Sequence, residues 1–252
     1  MLALIIKELR CYAHQRKYRR IQFVILCVLA IILFAAAFEL FAQSQTGSQV
    51  NVGSGMYSIL VIALLIAMLC FAVPLQAVEA MQIETESTNL ELLYITPIND
   101  WKLLAGKLIG AIIAGLWSVW LAIPLFWLSI YTGGLTLRQL FVCGLVLIAS
   151  VTLFSMIGIT FALFGTPVHV KSRSYIVVLS ITFLPLILPH TISLDGLTLD
   201  LLRLLSPLCV LLSVIRLETD FLWFWMLCFY ALSFAFIFLF SWKRLAKRDS
   251  VL

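Results

Sequence analysis

The sequence predicts an all-α integral membrane protein with six transmembrane helices. It adds an N-terminal amphipathic interface helix, a short cytoplasmic helix between spans 2 and 3, and re-entrant outer helices between spans 5 and 6. Three observations predict this class. Of 252 residues, 63% are hydrophobic and only 12% charged, against about half and a quarter in soluble domains, and the mean hydropathy is +1.11. No Asp, Glu, Lys or Arg occurs in 21–38, 40–78, 108–137, 139–170, 174–194, 204–215 or 221–242. Most of these runs reach the roughly 20 residues a helix needs to cross a bilayer core. Third, Lys and Arg are concentrated in alternate connecting segments, fourteen on one side and three on the other.

The elements follow in order along one transmembrane domain, 1–252. Residues 1–20 place Leu2, Ile5, Ile6, Leu9, Tyr12 and Ala13 at helical spacing, with Lys7, Arg10, Arg16, Lys17, Arg19 and Arg20 between them. That pattern suits a helix lying in the interface with its cations on lipid phosphates. The apolar run after it is of span length, longer than the 7–15 residues of a signal-peptide core, so the first span is expected to be uncleaved. Spans are expected at 21–42, 56–80, 101–131, 138–164, 175–190 and 221–241. The positive-inside rule then places both termini, the 81–100 segment and the 165–174 loop in the cytoplasm. Pro185 and Pro189 are expected to break span 5, because proline donates no backbone hydrogen bond. Residues 191–220 hold an uncharged run of 12, too short to cross, and are expected to dip into the membrane from the outside as a helical pair.

Between spans 2 and 3 the chain carries Glu84, Glu86, Glu91 and Asp100 in the segment "IETESTNLELLYITPINDWKLLAGK". Thr88-Asn89-Leu90-Glu91 forms a capping-box pattern, in which hydroxyl and carboxylate satisfy each other's backbone donors. Glu84 and Glu86 precede that helix start, where the helix dipole favours anions. Leu90, Leu92, Leu93 and Ile95 supply apolar positions, and Thr96-Pro97 ends the helix, since the residue before proline leaves the α region. Asn99 or Asp100 can cap the next helix. The carboxylates oppose a resting place on anionic headgroups, so the Leu-rich face is expected to meet a protein groove.

This segment resembles the cytoplasmic coupling region of type-2 ABC transporter permeases. The matching positions are Glu84, Glu86, Leu90, Glu91, Leu92, Leu93, Thr96, Pro97, Gly106 and Lys107; Thr85, Thr88 and Asn89 depart from the pattern. The basic N-terminal helix, the six spans, the broken outer segment with "LLSPL" and the basic tail are similar in layout. The resemblance implies an exporter permease in the inner membrane, paired with a second copy or a paralogue. Its coupling helix, 84–96, would dock into separate ATPase subunits through Glu84, Glu86, Leu90, Glu91, Leu92 and Leu93. Thr88, Thr96, Pro97, Gly106 and Lys107 would shape the segment. ATP and Mg would be bound by that partner and no cofactor by this chain.

The chain's own chemistry agrees with a non-catalytic role. Gly106-Lys107 lacks the glycine and Ser/Thr of a phosphate-binding loop. Six scattered cysteines form no C-x-x-C pair, so no metal or disulfide framework is expected. Gly106 suits close helix packing, and Lys107 suits snorkelling to the interface. Glu39, Trp117, Trp120 and His190 are candidate pathway residues, as are the hydroxyls of Ser118, Ser129, Ser150, Thr152, Ser155, Thr160, Ser180 and Thr182. Glu79, at the inner end of span 2, is a further intramembrane carboxylate. An ion-coupled carrier needs buried ionisable groups at mid-membrane, and this pattern is missing from the spans. A scaffold that recruits some other cytosolic protein is the second competing class. The basic residues flank spans rather than forming one face, which excludes nucleic acid as the expected partner.

Overall fold

The computed structural model describes residues 6, 10, 16–45, 73–85, 100–121, 136–164, 169–191, 196–216 and 222–249. Among them there is no strand, and eight helices carry the fold. These are α1 (Arg16–Gln45), α2 (Val73–Thr85), α3 (Asp100–Leu121), α4 (Leu137–Phe164), α5 (Val170–Thr191), α6 (Gly196–Leu205), α7 (Pro207–Arg216) and α8 (Leu222–Asp249). Three are long and apolar enough to cross a membrane: Leu137–Phe164, Val170–Ile187 and Leu222–Leu245. The fold is therefore helical, with three helices whose length and composition are compatible with a membrane protein.

α4 is the central helix and packs on α2, α3, α5, α7 and α8. A helix apolar on all sides is buried by its neighbours, and α4 buries residues from Gln139 to Ala162. Small residues let its backbone approach α2. A Cβ on Gly158 would stand 2.9 Å from the Pro74 carbonyl oxygen and 3.0 Å from Ala77 Cβ. On α3, a Cβ on Gly115 would meet both Val151 and Val73 at 3.1 Å. Without a hydrophobic drive between helices in lipid, such close contact supplies the packing energy. Val73 is level with Val151 and Ala77 with Gly158, so α2 and α4 run in the same direction.

Two boundaries differ from expectation for physical reasons. α1 starts at Arg16, so "RKYRR" is the first turns of the long helix rather than part of a separate interface element. Nothing in that stretch breaks a helix, and Lys and Arg can reach outward from its end. The rest of the expected 1–20 helix lies outside the described residues apart from Ile6 and Arg10, both helical and exposed. α5 begins at Val170 and runs through Pro185 and Pro189 to Thr191, where breaks were expected. Proline is tolerated in a membrane helix when its surroundings compensate the backbone group it frees; for Pro185 that group is the Ile181 carbonyl, and Ser206 of the next hairpin bonds the adjacent Thr182 carbonyl.

Spans 1, 4 and 6 fall on α1, α4 and α8, and α8 extends through the basic tail to Asp249. α2 and α3 cover the last third of span 2 and the first two-thirds of span 3; 56–72 and 122–131 lie outside the described residues. The 191–220 region contains α6 and α7, two ten-residue helices that meet at Ser206. α7 sits in the core, with Leu208, Val210, Leu211 and Val214 buried.

Candidate functional site

At one end of the bundle, polar side chains tie the helix ends together. α2 ends at Thr85 and α3 starts at Asp100, so the coupling-type sequence joins these two helices. Lys107, about two turns into α3, is only 2% exposed. Its Nζ donates to the Ala80 carbonyl of α2 at 3.1 Å. It therefore does not snorkel: the lysine stem is packed between helices and its head group holds a neighbouring backbone. Gly106 beside it is buried as well, consistent with close helix contact.

One residue before Ala80, Glu79 accepts from Lys171 Nζ at 2.9 Å. This ion pair links α2 to the first turn of α5. With the lysine side chain 44% exposed, it has a surface strength of about 1 kcal/mol or less. Glu79 is thus an interhelical partner rather than an isolated intramembrane acid. At the same end, the Arg244 guanidinium of α8 lies 4.5 Å above the Phe164 ring of α4. Phe164 also meets Phe240 edge-on at 5.7 Å. Thr160 Oγ1 and Ser241 Oγ lie 3.2 Å apart across the same helix pair.

A second polar assembly anchors the α6–α7 hairpin. Ser206 is fully buried, and its Oγ donates to the Thr182 carbonyl of α5 at 2.7 Å. Thr182 lies in the turn preceding Pro185, next to Ile181, whose carbonyl the proline leaves without its helical donor. The same Oγ accepts from Cys209 N at 3.5 Å, as an N-cap does, and Pro207 occupies the favoured first position of α7. Tyr230 of α8, 2% exposed, donates its hydroxyl to the Leu205 carbonyl at 2.8 Å. That carbonyl ends α6 and has no partner further along its own helix.

The far end of α7 is held from α4. Gln139 Nε2 donates to the Val214 carbonyl at 3.2 Å. Gln139 Oε1 accepts from Thr136 N at 2.9 Å, while Gln139 N donates to Thr136 Oγ1 at 3.4 Å. Thr136-Leu137-Arg138-Gln139 is thus a capping box whose glutamine also clamps the hairpin.

The expected site residues distribute unevenly over these features. Glu84 lies in the last turn of α2. Glu86, Thr88, Leu90, Glu91, Leu92, Leu93, Thr96 and Pro97 lie outside the described residues. Glu39 is near the end of α1 and His190 near the end of α5. Trp117 and Trp120 are 58% and 68% exposed on the outer side of α3. They do not converge with the hydroxyls expected beside them. Ser150, Thr152, Thr160 and Thr182 each donate to the carbonyl four residues back in their own helix, at 2.7–2.8 Å. Ser155 is buried in α4. Ser206, Tyr230 and Gln139 were missed. The Ser-Pro pair and the T-x-x-Q spacing are their sequence signals; Tyr230 has none, because its acceptor is a backbone carbonyl.

No family model and no curated protein matches this chain.

Proposed function

We propose that the protein is the permease subunit of an ATP-driven ABC exporter in the inner membrane. It acts as a dimer with a second copy or a paralogue, and separate ATPase subunits bind ATP and Mg. Six spans carry the path: α1, the 56–80 run that includes α2, the 101–131 run that includes α3, α4, α5 and α8. Both termini are cytoplasmic in this reading, and α6 and α7 form the outer re-entrant pair.

The observation that carries the proposal is the Glu84–Lys107 sequence pattern between two helices locked together at their cytoplasmic ends. The shared direction of α2 and α4 is what alternate spans require. Glu79, Lys107, Phe164, Lys171 and Arg244 gather at the end where that topology puts the cytoplasm. ATPase closure would push the 84–96 segment, and α2 and α3 would carry the movement to α4 through Gly158 and Gly115. Trp117 and Trp120 face outward from the subunit, so the pathway is assigned to the dimer interface. Such a surface suits a hydrophobic or amphipathic cargo.

The test is Leu90→Asp combined with Leu93→Asp. The variant is expected to insert normally and to lose its ATPase on purification, since two carboxylates cannot be buried in an apolar groove without partners. Normal recovery of the ATPase with this variant would remove the docking role.

A further inference from the structure

α1 presents an arginine pair at the head of an exposed apolar stripe. Arg19 and Arg20 are exposed, and with Phe23 and Val24 they line an open groove of about 580 Å³. Below them Val28, Ile31, Phe34, Phe38 and Phe41 continue the exposed face along the helix. Among the described side chains of α1 only Leu29 is buried. The basic residues of the helix end at Arg20, and an uncharged run begins at Ile21 and continues to Phe38. The pair therefore marks the level where headgroups meet hydrocarbon.

We propose that this groove is a binding site for an anionic phospholipid. The phosphodiester would be held between the two guanidiniums, which present planar donors to phosphate oxygens, while the acyl chains lie along Phe23, Val24 and the stripe below. Charge decides the occupant. A zwitterionic lipid offers the same phosphate with a cation beside it, whereas an anionic lipid leaves both arginines compensated. Anionic headgroups attract juxtamembrane cations by about 1 kcal/mol per basic residue. The site depends on membrane placement and not on the exporter reading.

The test uses the full chain in neutral detergent, titrated with phosphatidylglycerol or phosphatidylcholine and read by native mass spectrometry. Wild type is expected to retain phosphatidylglycerol selectively. Arg19→Gln with Arg20→Gln is expected to lower that retention about thirtyfold, the two-cation value at the surface. The control Arg173→Gln with Lys243→Gln removes equal charge from two other exposed positions and is expected to keep the selectivity. Equal losses in both pairs would reduce the effect to net charge and overturn the site. Wild type without lipid preference would overturn it too. Displacement by millimolar inorganic phosphate would replace the lipid with a free-anion site. A change of oligomeric state in the Arg19/Arg20 variant, without lipid loss, would assign the face to a second copy.

Discussion

Replacing Lys107 with methionine is expected to loosen the end of α2 while leaving the rest of the bundle packed. Methionine keeps the length and apolar bulk of the buried stem but cannot donate to the Ala80 carbonyl. A hydrogen bond from a charged donor is worth about 1.5–3 kcal/mol. Amides at 80–85 are therefore expected to exchange about ten- to a hundredfold faster, because local opening governs exchange. Amides around Ala77 are expected to keep their protection, since Gly158 holds that turn independently. Unchanged exchange at 80–85 would mean that the lysine does not tie α2 to α3. If the exporter reading holds, the same variant is expected to retain its ATPase yet transmit its closure poorly. Docking and transmission then separate: Leu90 and Leu93 serve the first, Lys107 the second.

The second large effect is expected at the hairpin junction. Ser206→Ala removes one hydroxyl with two tasks, the cap of α7 and the donor to Thr182 beside Pro185. Losing a cap costs about 1 kcal/mol, and losing the buried hydrogen bond to Thr182 costs about 0.5–1.5 kcal/mol. Tyr230→Phe keeps the ring and deletes only the donor to Leu205, so about 1–3 kcal/mol is expected. Because the two bonds hold adjacent residues, their effects are expected to be coupled rather than additive. Unfolding of both single variants and the double in detergent measures this. A Ser206→Ala protein as stable as wild type would show that the hairpin is held by apolar contact alone.

Much of the helical layout was legible because lipid imposes a coarse code. Charge-free runs of span length located α1, α4, α5 and α8. The short pair α6 and α7 was legible from a run too short to cross. The continuous α5 was not, because proline reports only the bond it lacks. Whether a helix continues through a proline is decided by what packs around it, and here Ser206, 21 residues beyond Pro185, reaches the Thr182 carbonyl in the turn before it. Lys107 illustrates the same limit. Its acceptor is a main-chain oxygen 27 residues away, and a backbone carbonyl leaves no mark in a sequence. Of the hydroxyls expected along a pathway, those of Ser150, Thr152, Thr160 and Thr182 bond within their own helices. In an apolar medium, the carbonyl four residues back is the nearest available acceptor.

The central claim is that this chain works with a separate ATPase. The most direct measurement is gentle detergent extraction from the native host through a C-terminal tag, followed by mass spectrometry of the associated proteins. The account predicts a stoichiometric partner carrying a G-x-x-x-x-G-K-[ST] phosphate-binding loop, recovered through the 84–96 segment. A clean preparation with no nucleotide-binding partner, reproduced under crosslinking, would contradict it.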